Sequence, residues 1–292
     1  VFNLPLTSSM TTFLVFYAIG SESGSPGGIF ASLGLYNALT LVIAEFPMHL
    51  GYCTSASVSL ERVREYLEAP VEDKKTEENI EAVDEKIDIK LANGEFEWET
   101  FDDNEKSNKF GLRNINLSIS KGEFVVISGP TGSGKSSLLH AIWGGIKKTN
   151  GTVFINGSSI FYGMPWIQSA SIRENILFGL KFDPIFYYKT IKACALATDI
   201  NLLPAGDMTE VGEKGITLSG GQKARISLAR AVYAQKDVYL LDDVLSAVDS
   251  KVARHIVEHC FLDLIADKTK VLATHQLSLI HKADRVIFMN EG

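Results

Sequence analysis

The sequence predicts an α/β domain with a largely buried sheet, preceded by a pair of helices that cross a membrane. Three observations lead there. Short β-branched runs alternate with glycine-rich turns and helical stretches beyond residue 86, the pattern of an α/β core. One of those runs, Phe124-Val-Val-Ile-Ser128, leads straight into a glycine-rich loop and a helical stretch. Charge is also partitioned along the chain. From Val1 to Leu60 the only acidic residues are Glu22 and Glu45 and there is no Lys or Arg, whereas Glu61 onward carries all 28 basic residues and all but two of the 35 acidic ones.

The apolar runs Phe2 to Ile19 and Ile29 to Leu50 flank the turn SESGSPGG at 21–28. At 1.5 Å per residue each is long enough for a hydrocarbon core of about 30 Å. They read as a transmembrane α-helical hairpin; a buried pair of soluble helices is the alternative, and it leaves the lack of charge unexplained. Glu45, late in the second run, is expected either to face a cavity or protein partner or to sit at the interface. From Ala56 the polar content rises while Val58, Val63, Tyr66 and Leu67 recur at helical spacing, so the second helix is expected to continue into the cytosol. Pro70 ends it. Residues 71–90 hold eight acidic and four basic side chains, which is linker composition. The expected organisation is therefore a membrane segment at 1–68, a linker at 69–87 and the α/β domain at 88–292, which is long enough for one core.

Strands are expected at Ile87 to Leu91, Phe124 to Ser128, Thr152 to Ile155, Val238 to Leu241, Val271 to Ala273 and Val286 to Phe288. A net charge of −7 and a pI near 5.5 argue against nucleic acid as the main partner, because a phosphate backbone needs clustered Lys and Arg. Cys53, Cys194 and Cys260 are odd in number and widely spaced, so neither a disulfide framework nor a metal site is expected. The opening lacks the positively charged start of a signal peptide. Beginning without Met and stopping at Glu291-Gly292 after a strand-like run, the sequence is expected to be part of a longer chain.

Gly129-Pro-Thr-Gly-Ser-Gly-Lys135-Ser136 matches GxxxxGK[ST] in the required context of strand, loop and helix. Gly129, Gly132 and Gly134 let backbone N–H groups turn inward around phosphate oxygens, and the helix from Lys135 aims its positive end at them. Lys135 is expected to bridge the β- and γ-phosphates of ATP and the Ser136 hydroxyl to ligate Mg²⁺. Thr131, Ser133 and Ser137 complete the candidate nucleotide-binding set. Val238-Tyr-Leu-Leu-Asp242 is an apolar strand that ends in a carboxylate, and paired with the Lys135 loop Asp242 becomes a second Mg²⁺ ligand. Leu218-Ser219-Gly220-Gly221-Gln222, at the mouth of a helical stretch, makes a second anion-binding turn.

LSGGQ between these two motifs resembles the signature of ABC ATPases. The resemblance implies a P-loop ATPase fold with a helical subdomain, and a second nucleotide-binding domain, placed head to tail, whose nucleotide this turn clamps. The remaining motifs fall in order. Trp98 in EFEWE resembles the aromatic residue that stacks on adenine. Gln168 in MPWIQSASIRENILFG resembles the Q-loop glutamine, which contacts Mg²⁺ and water on the side facing the membrane domains. Thr209 to Gly215 resembles a loop of exporters that touches intracellular helix ends, Ser246-Ala-Val-Asp249 the D-loop, and His275 the switch histidine near the γ-phosphate.

One residue departs from the family. ABC ATPases generally place Glu directly after the Mg²⁺-binding Asp, and this chain has Asp243. A side chain one methylene shorter withdraws by about 1.5 Å from the attacking water, and a general base must come within roughly 2.6–3.2 Å. The Lys135 site is therefore expected to bind ATP well and hydrolyse it poorly. Asp243 together with Trp98 resembles the first nucleotide-binding domain of ABC subfamily C, and FEWETFDD, GYCTSASVSLERVREYL and LATHQLSLIHKADRVIF look similar to fungal multidrug exporters of the oligomycin-resistance type. The resemblance implies efflux of a xenobiotic or organic anion across a lipid bilayer, the plasma membrane in preference to the vacuolar one, with the family's last strands and helices lying beyond residue 292. A nucleotide-gated channel or channel regulator of the same subfamily is the alternative; a soluble ABC ATPase is disfavoured by the apolar hairpin. Ser107 lies in the insertion NEKSNKF, and the sequence carries no signal for regulatory phosphorylation.

Overall fold

The computed structural model describes residues 4–19, 26–68, 85–98, 111–212, 216–290 and 292. The chain divides into two compact units, Val1–Asp73 and Lys74–Gly292. The expected linker over 69–84, most of the 21–28 turn, Ser107 with its insertion, and residues 213–215 of the exporter-type loop lie outside the described residues.

The first unit is a helix pair. α1 spans Leu4–Ala18 and α2 spans Pro26–Glu68, the latter running on through Pro47 as a single helix of 43 residues. The two meet where Thr12 Oγ1 and Tyr36 OH lie 3.3 Å apart. The hydroxyls of Thr12, Ser32, Thr40 and Ser59 donate to carbonyls four residues earlier, which satisfies polar groups inside an apolar helix. Leu14, Tyr17, Phe30, Leu35, Val42 and Phe46 are exposed. Of the expected hairpin, among the described residues one helix, Phe30–Glu68, is long and apolar enough to cross a membrane. The described part of α1 is 15 residues long.

The second unit is built on two sheets. β1 (Ile87–Glu97), β2 (Gly111–Ser120) and β4 (Lys147–Ile155) form an antiparallel sheet in the order β2-β1-β4. The central sheet is parallel, with β3 (Phe124–Ser128), β5 (Ser159–Tyr162), β8 (Val238–Asp242), β9 (Thr269–Ala273) and β10 (Arg285–Phe288) in the order β10-β3-β9-β8-β5. Strand periodicity divides the core in two. Phe124 and Val126 of β3 join Leu241 and Leu272 in a core shared with α4 (Ile172–Leu177), α5 (Pro184–Ala193), α7 (Gly220–Tyr233) and α8 (Ser250–Ile256). Val125 and Ile127 face the other way, against α3 (Lys135–Trp143) and Ile89, Leu91 and Phe96 of the antiparallel sheet. With both faces covered, all five residues of β3 are buried, as a parallel sheet requires.

The expected strands are present, with β1 and β4 longer than their apolar runs. β2 and β5 lie outside the expected set. β5 is a four-residue edge strand with only three apolar residues, Ile160 to Tyr162, and β2 buries only Leu112 and Ile119, so it makes no continuous apolar run. Short helix α6 (Ala197–Leu202) and the strand pair β6 (Ala170–Ser171) and β7 (Glu210–Val211) complete the helical side. The three cysteines are free, with Cys194 and Cys260 buried; a hydrogen bond with Cys260 and burial hold the Cys194 thiol well above its ordinary value.

Lys270 of β9 is 2% exposed, and its ammonium donates at 3.0 Å to the carbonyls of Ile265 and Ala266, capping the π-helical turn Val257–Leu264 that extends α8. Burial lowers its pKa from 10.5 to about 8, against the opposing charges of Asp284 and Asp267. The unfolded chain then binds more protons between these two values, so the penalty is complete below about pH 8 and is relieved as pH rises towards 10.5. Denaturant unfolding across that window is expected to show a component of stability that increases with pH and is absent in Lys270→Met. A slope unchanged by the substitution would contradict this.

Candidate functional site

β3 delivers the chain into a loop whose shape needs glycine. Gly132 and Gly134 have φ of 82° and 99°, in the left-handed region that side chains disfavour. A Cβ on Gly129 would lie 2.3 Å from the Met289 carbonyl, so a larger residue would push away the chain leaving β10. α3 begins at Lys135 with Gly134 as its N-cap, which directs the first-turn N–H groups towards the loop.

Lys135 is buried and its Nζ donates to the carbonyls of Gly129, at 3.0 Å, and Pro130, at 2.7 Å. The Ser136 hydroxyl donates to Asp242 Oδ1 at 3.0 Å, joining the start of α3 to the tip of β8. Both open on a cavity of about 590 Å³, whose wall also includes Thr131, Gly132 and Gly134 from the loop, Ser137 of α3, Asp243 and Ser246 after β8, and His275 after β9. Ser133 Oγ is buried with no hydrogen-bond partner. A triphosphate fits this arrangement: the lysine supplies charge and the helix start its amides. Ser136 and Asp242 could hold Mg²⁺ through hard oxygens.

Asp243 adopts φ of 47°. Its N–H donates to the Ala273 carbonyl at 2.9 Å, and its own carbonyl accepts from Ser246 N–H at 3.2 Å and Oγ at 2.8 Å. His275 is exposed at the cavity edge. Its neighbours are anchored: Thr274 N–H donates to Ile127 O, and Gln276 Nε2 donates to Leu245 O at 3.0 Å, which ties the segment after β9 to the one after β8.

Four of the expected nucleotide-site residues, Trp98, Gly129, Ser133 and Gln168, are not in the cavity wall. Trp98 follows β1 and is 39% exposed; its indole N–H donates to Ser137 Oγ at 3.1 Å and its ring meets His140 edge-on at 5.3 Å. Gln168 is exposed, and its backbone is held by Asn175.

Leu218 to Gln222 lies outside this cavity wall as well. Ser219 caps α7 in a reciprocal box: its Oγ accepts from Gln222 N–H at 3.2 Å, and Gln222 Oε1 accepts from Ser219 N–H at 2.9 Å. Gln222 Nε2 then donates to Asp199, which also pairs with Arg225 at 2.6 Å. Burial raises the Asp199 pKa, but hydrogen bonds from Arg225 and Gln222 outweigh it and hold the carboxyl below its ordinary range. Leu218 is buried beneath the turn and Gly220 has open space around its Cα. A Cβ on Gly221 would lie 2.8 Å from the Ala247 carbonyl, so this glycine lets the turn press on the Ser246–Asp249 segment. Of the exporter-type loop, Thr209 accepts from Ile172 N–H at its carbonyl and β7 pairs with β6.

Tyr162, Asn175 and Arg230 were absent from the sequence-based set. Tyr162 is a buried cavity-wall residue whose hydroxyl donates to Ala224 O at 3.1 Å, with burial raising its pKa. None belongs to a local motif, although Ser171-Ile-Arg-Glu174, the capping box that opens the helix of Asn175, is readable in the sequence.

Residues 112–246 match the family model described as ABC transporter. The oligomycin resistance ATP-dependent permease YOR1 of Saccharomyces cerevisiae is 40% identical over 98% of this chain and 23% of its own length. The metal resistance protein YCF1 of the same yeast is 40% identical over 100% of this chain and 19% of its own length. Human ATP-binding cassette sub-family C member 10 is 39% identical over 99% of the chain and 19% of its own length. The chain thus spans about a fifth of the length of these relatives. A glycine loop, lysine, serine and carboxylate gathered on one cavity, and relatives that align along essentially the whole sequence, carry one conclusion: the chain belongs to the ABC transporter family and is similar throughout to members of its sub-family C.

Proposed function

We propose that this chain is the first nucleotide-binding domain, with the adjoining membrane segment, of an ATP-driven exporter of xenobiotics or organic anions. Residues 1–68 belong to a membrane domain, 69–87 link it, and 88–292 bind MgATP. The observation that carries this reading is the convergence of Lys135, Ser136, Asp242, Asp243 and His275 on one cavity. Lys135 neutralises phosphate charge, the loop amides orient the phosphates, and Ser136 with Asp242 hold Mg²⁺. The ion, when bound, withdraws charge from the phosphate oxygens. Trp98 serves adenine from beside Ser137. Asp243 is too short to act as an efficient base, so ATP is retained more than it is split.

The turn Ser219–Gln222, away from the chain's own cavity, serves the nucleotide of a second, head-to-tail ATPase domain. ATP then drives dimerisation because it binds the closed pair more tightly than the open one. The exposed apolar faces of α1 and α2 are the kind that lipid and further membrane helices cover. The plasma membrane is the proposed location, and nucleic acid is not a partner.

The full-length protein in liposomes is expected to accumulate a fluorescent organic anion against its gradient when MgATP is supplied on the side of the ATPase domains. ATP-dependent movement that only dissipates a gradient would replace the exporter with a nucleotide-gated channel, and absence of ATP binding would remove both readings.

A further inference from the structure

Arg230, near the C-terminal end of α7, is buried, and its guanidinium donors reach two segments distant in sequence. Nε donates to the Asn175 carbonyl at 2.7 Å, Nη2 to Asn175 Oδ1 at 2.9 Å and Nη1 to the Trp166 carbonyl at 3.2 Å. Asn175 is fully buried, and its amide is committed to the backbone of Gln168. Oδ1 accepts from Gln168 N–H at 2.9 Å, while Nδ2 donates to Gln168 O at 3.1 Å and Ser171 O at 3.0 Å. Donors meet one end of this amide and carbonyls the other, so its orientation is set by its partners. Both peptide groups of Gln168 are fixed by one side chain, and that side chain by one guanidinium.

The flat faces of the guanidinium are aromatic. Arg230 Cζ lies 3.9 Å from the centroid of Trp166 and 5.3 Å from that of Phe178, and the two rings meet edge-on at 5.5 Å. Each ring is about half exposed, along a cleft of about 330 Å³. A displacement of these rings therefore bears directly on Arg230.

We propose that Arg230 is a positioning residue for Gln168: by clamping Asn175 while carrying Trp166 and Phe178, it sets the direction of the Gln168 amide. This rests on the reading of Gln168 as a contact of nucleotide-bound Mg²⁺. The task suits arginine and not lysine, because an ammonium cannot serve three acceptors in one plane and stack on a ring as well.

The test is a double-mutant cycle in the full-length protein with its second nucleotide site blocked. ATP affinity is measured with Mg²⁺ and with chelator for wild type, Arg230→Lys, Gln168→Ala and the double variant. Arg230→Lys is expected to lose about tenfold of the Mg²⁺-dependent affinity, to keep its Mg²⁺-free affinity, and to add nothing once Gln168 is alanine. Additive losses, or equal losses with and without Mg²⁺, overturn the proposal. If Arg230→Lys does not fold, Trp166→Leu on the surface replaces it; a loss of about threefold of the same Mg²⁺-dependent kind is expected, and unchanged affinity overturns the proposal. A wild-type protein that binds no ATP in either buffer overturns the nucleotide reading itself.

Discussion

Asp243→Glu is expected to raise ATP hydrolysis at the Lys135 site by about 10²- to 10⁴-fold, the range contributed by a positioned general base. The backbone explains why the short side chain is not compensated by a shift of the chain. Asp243 sits at φ of 47°, pinned through its N–H to Ala273 and through its carbonyl to Ser246. Only the extra methylene of glutamate, about 1.5 Å of reach, can then bring the carboxylate closer to water above the γ-phosphate. The substitution is expected to cost roughly 1 kcal/mol of stability, because glutamate tolerates the left-handed conformation less well than aspartate. Turnover of the full-length protein with its second ATPase site disabled reads the effect. Brisk hydrolysis by the unmodified protein, with no gain in the variant, would mean that Asp243 is itself the base.

Lys135→Met is expected to weaken MgATP binding by about 100-fold, corresponding to loss of charge-assisted hydrogen bonds of roughly 2–3 kcal/mol. Lys135 is buried and held on the carbonyls of Gly129 and Pro130, so its ammonium is confined to the phosphate cradle before nucleotide arrives. Methionine keeps much of the stem and removes the charge. It also leaves those two carbonyls without their donor, so unfolding without nucleotide must be measured alongside calorimetric titration with MgATP. Wild-type affinity in a folded variant would refute the assignment of this loop to phosphate.

The parts of this protein legible in the sequence are those whose chemistry is local. A phosphate cradle needs glycines, a lysine and a serine within eight consecutive residues; a capped anion turn needs Ser219, two glycines and Gln222; a buried strand ending in Asp242 announces itself as an apolar run. The lack of basic residues before Glu61 likewise marks a segment apart from the α/β domain. Tertiary structure decided what depends on chain segments far apart. The strand order β10-β3-β9-β8-β5 and the division of β3 between two cores follow from which faces found helices to cover them. The contact between Ser136 and Asp242 joins residues 106 positions apart, and that between Arg230 and Asn175 joins residues 55 apart. The orientations of Trp98 and Gln168, both set outside the cavity wall, were equally hidden. A side chain's type states which bonds it can make, but its direction is chosen by the neighbours that packing brings to it.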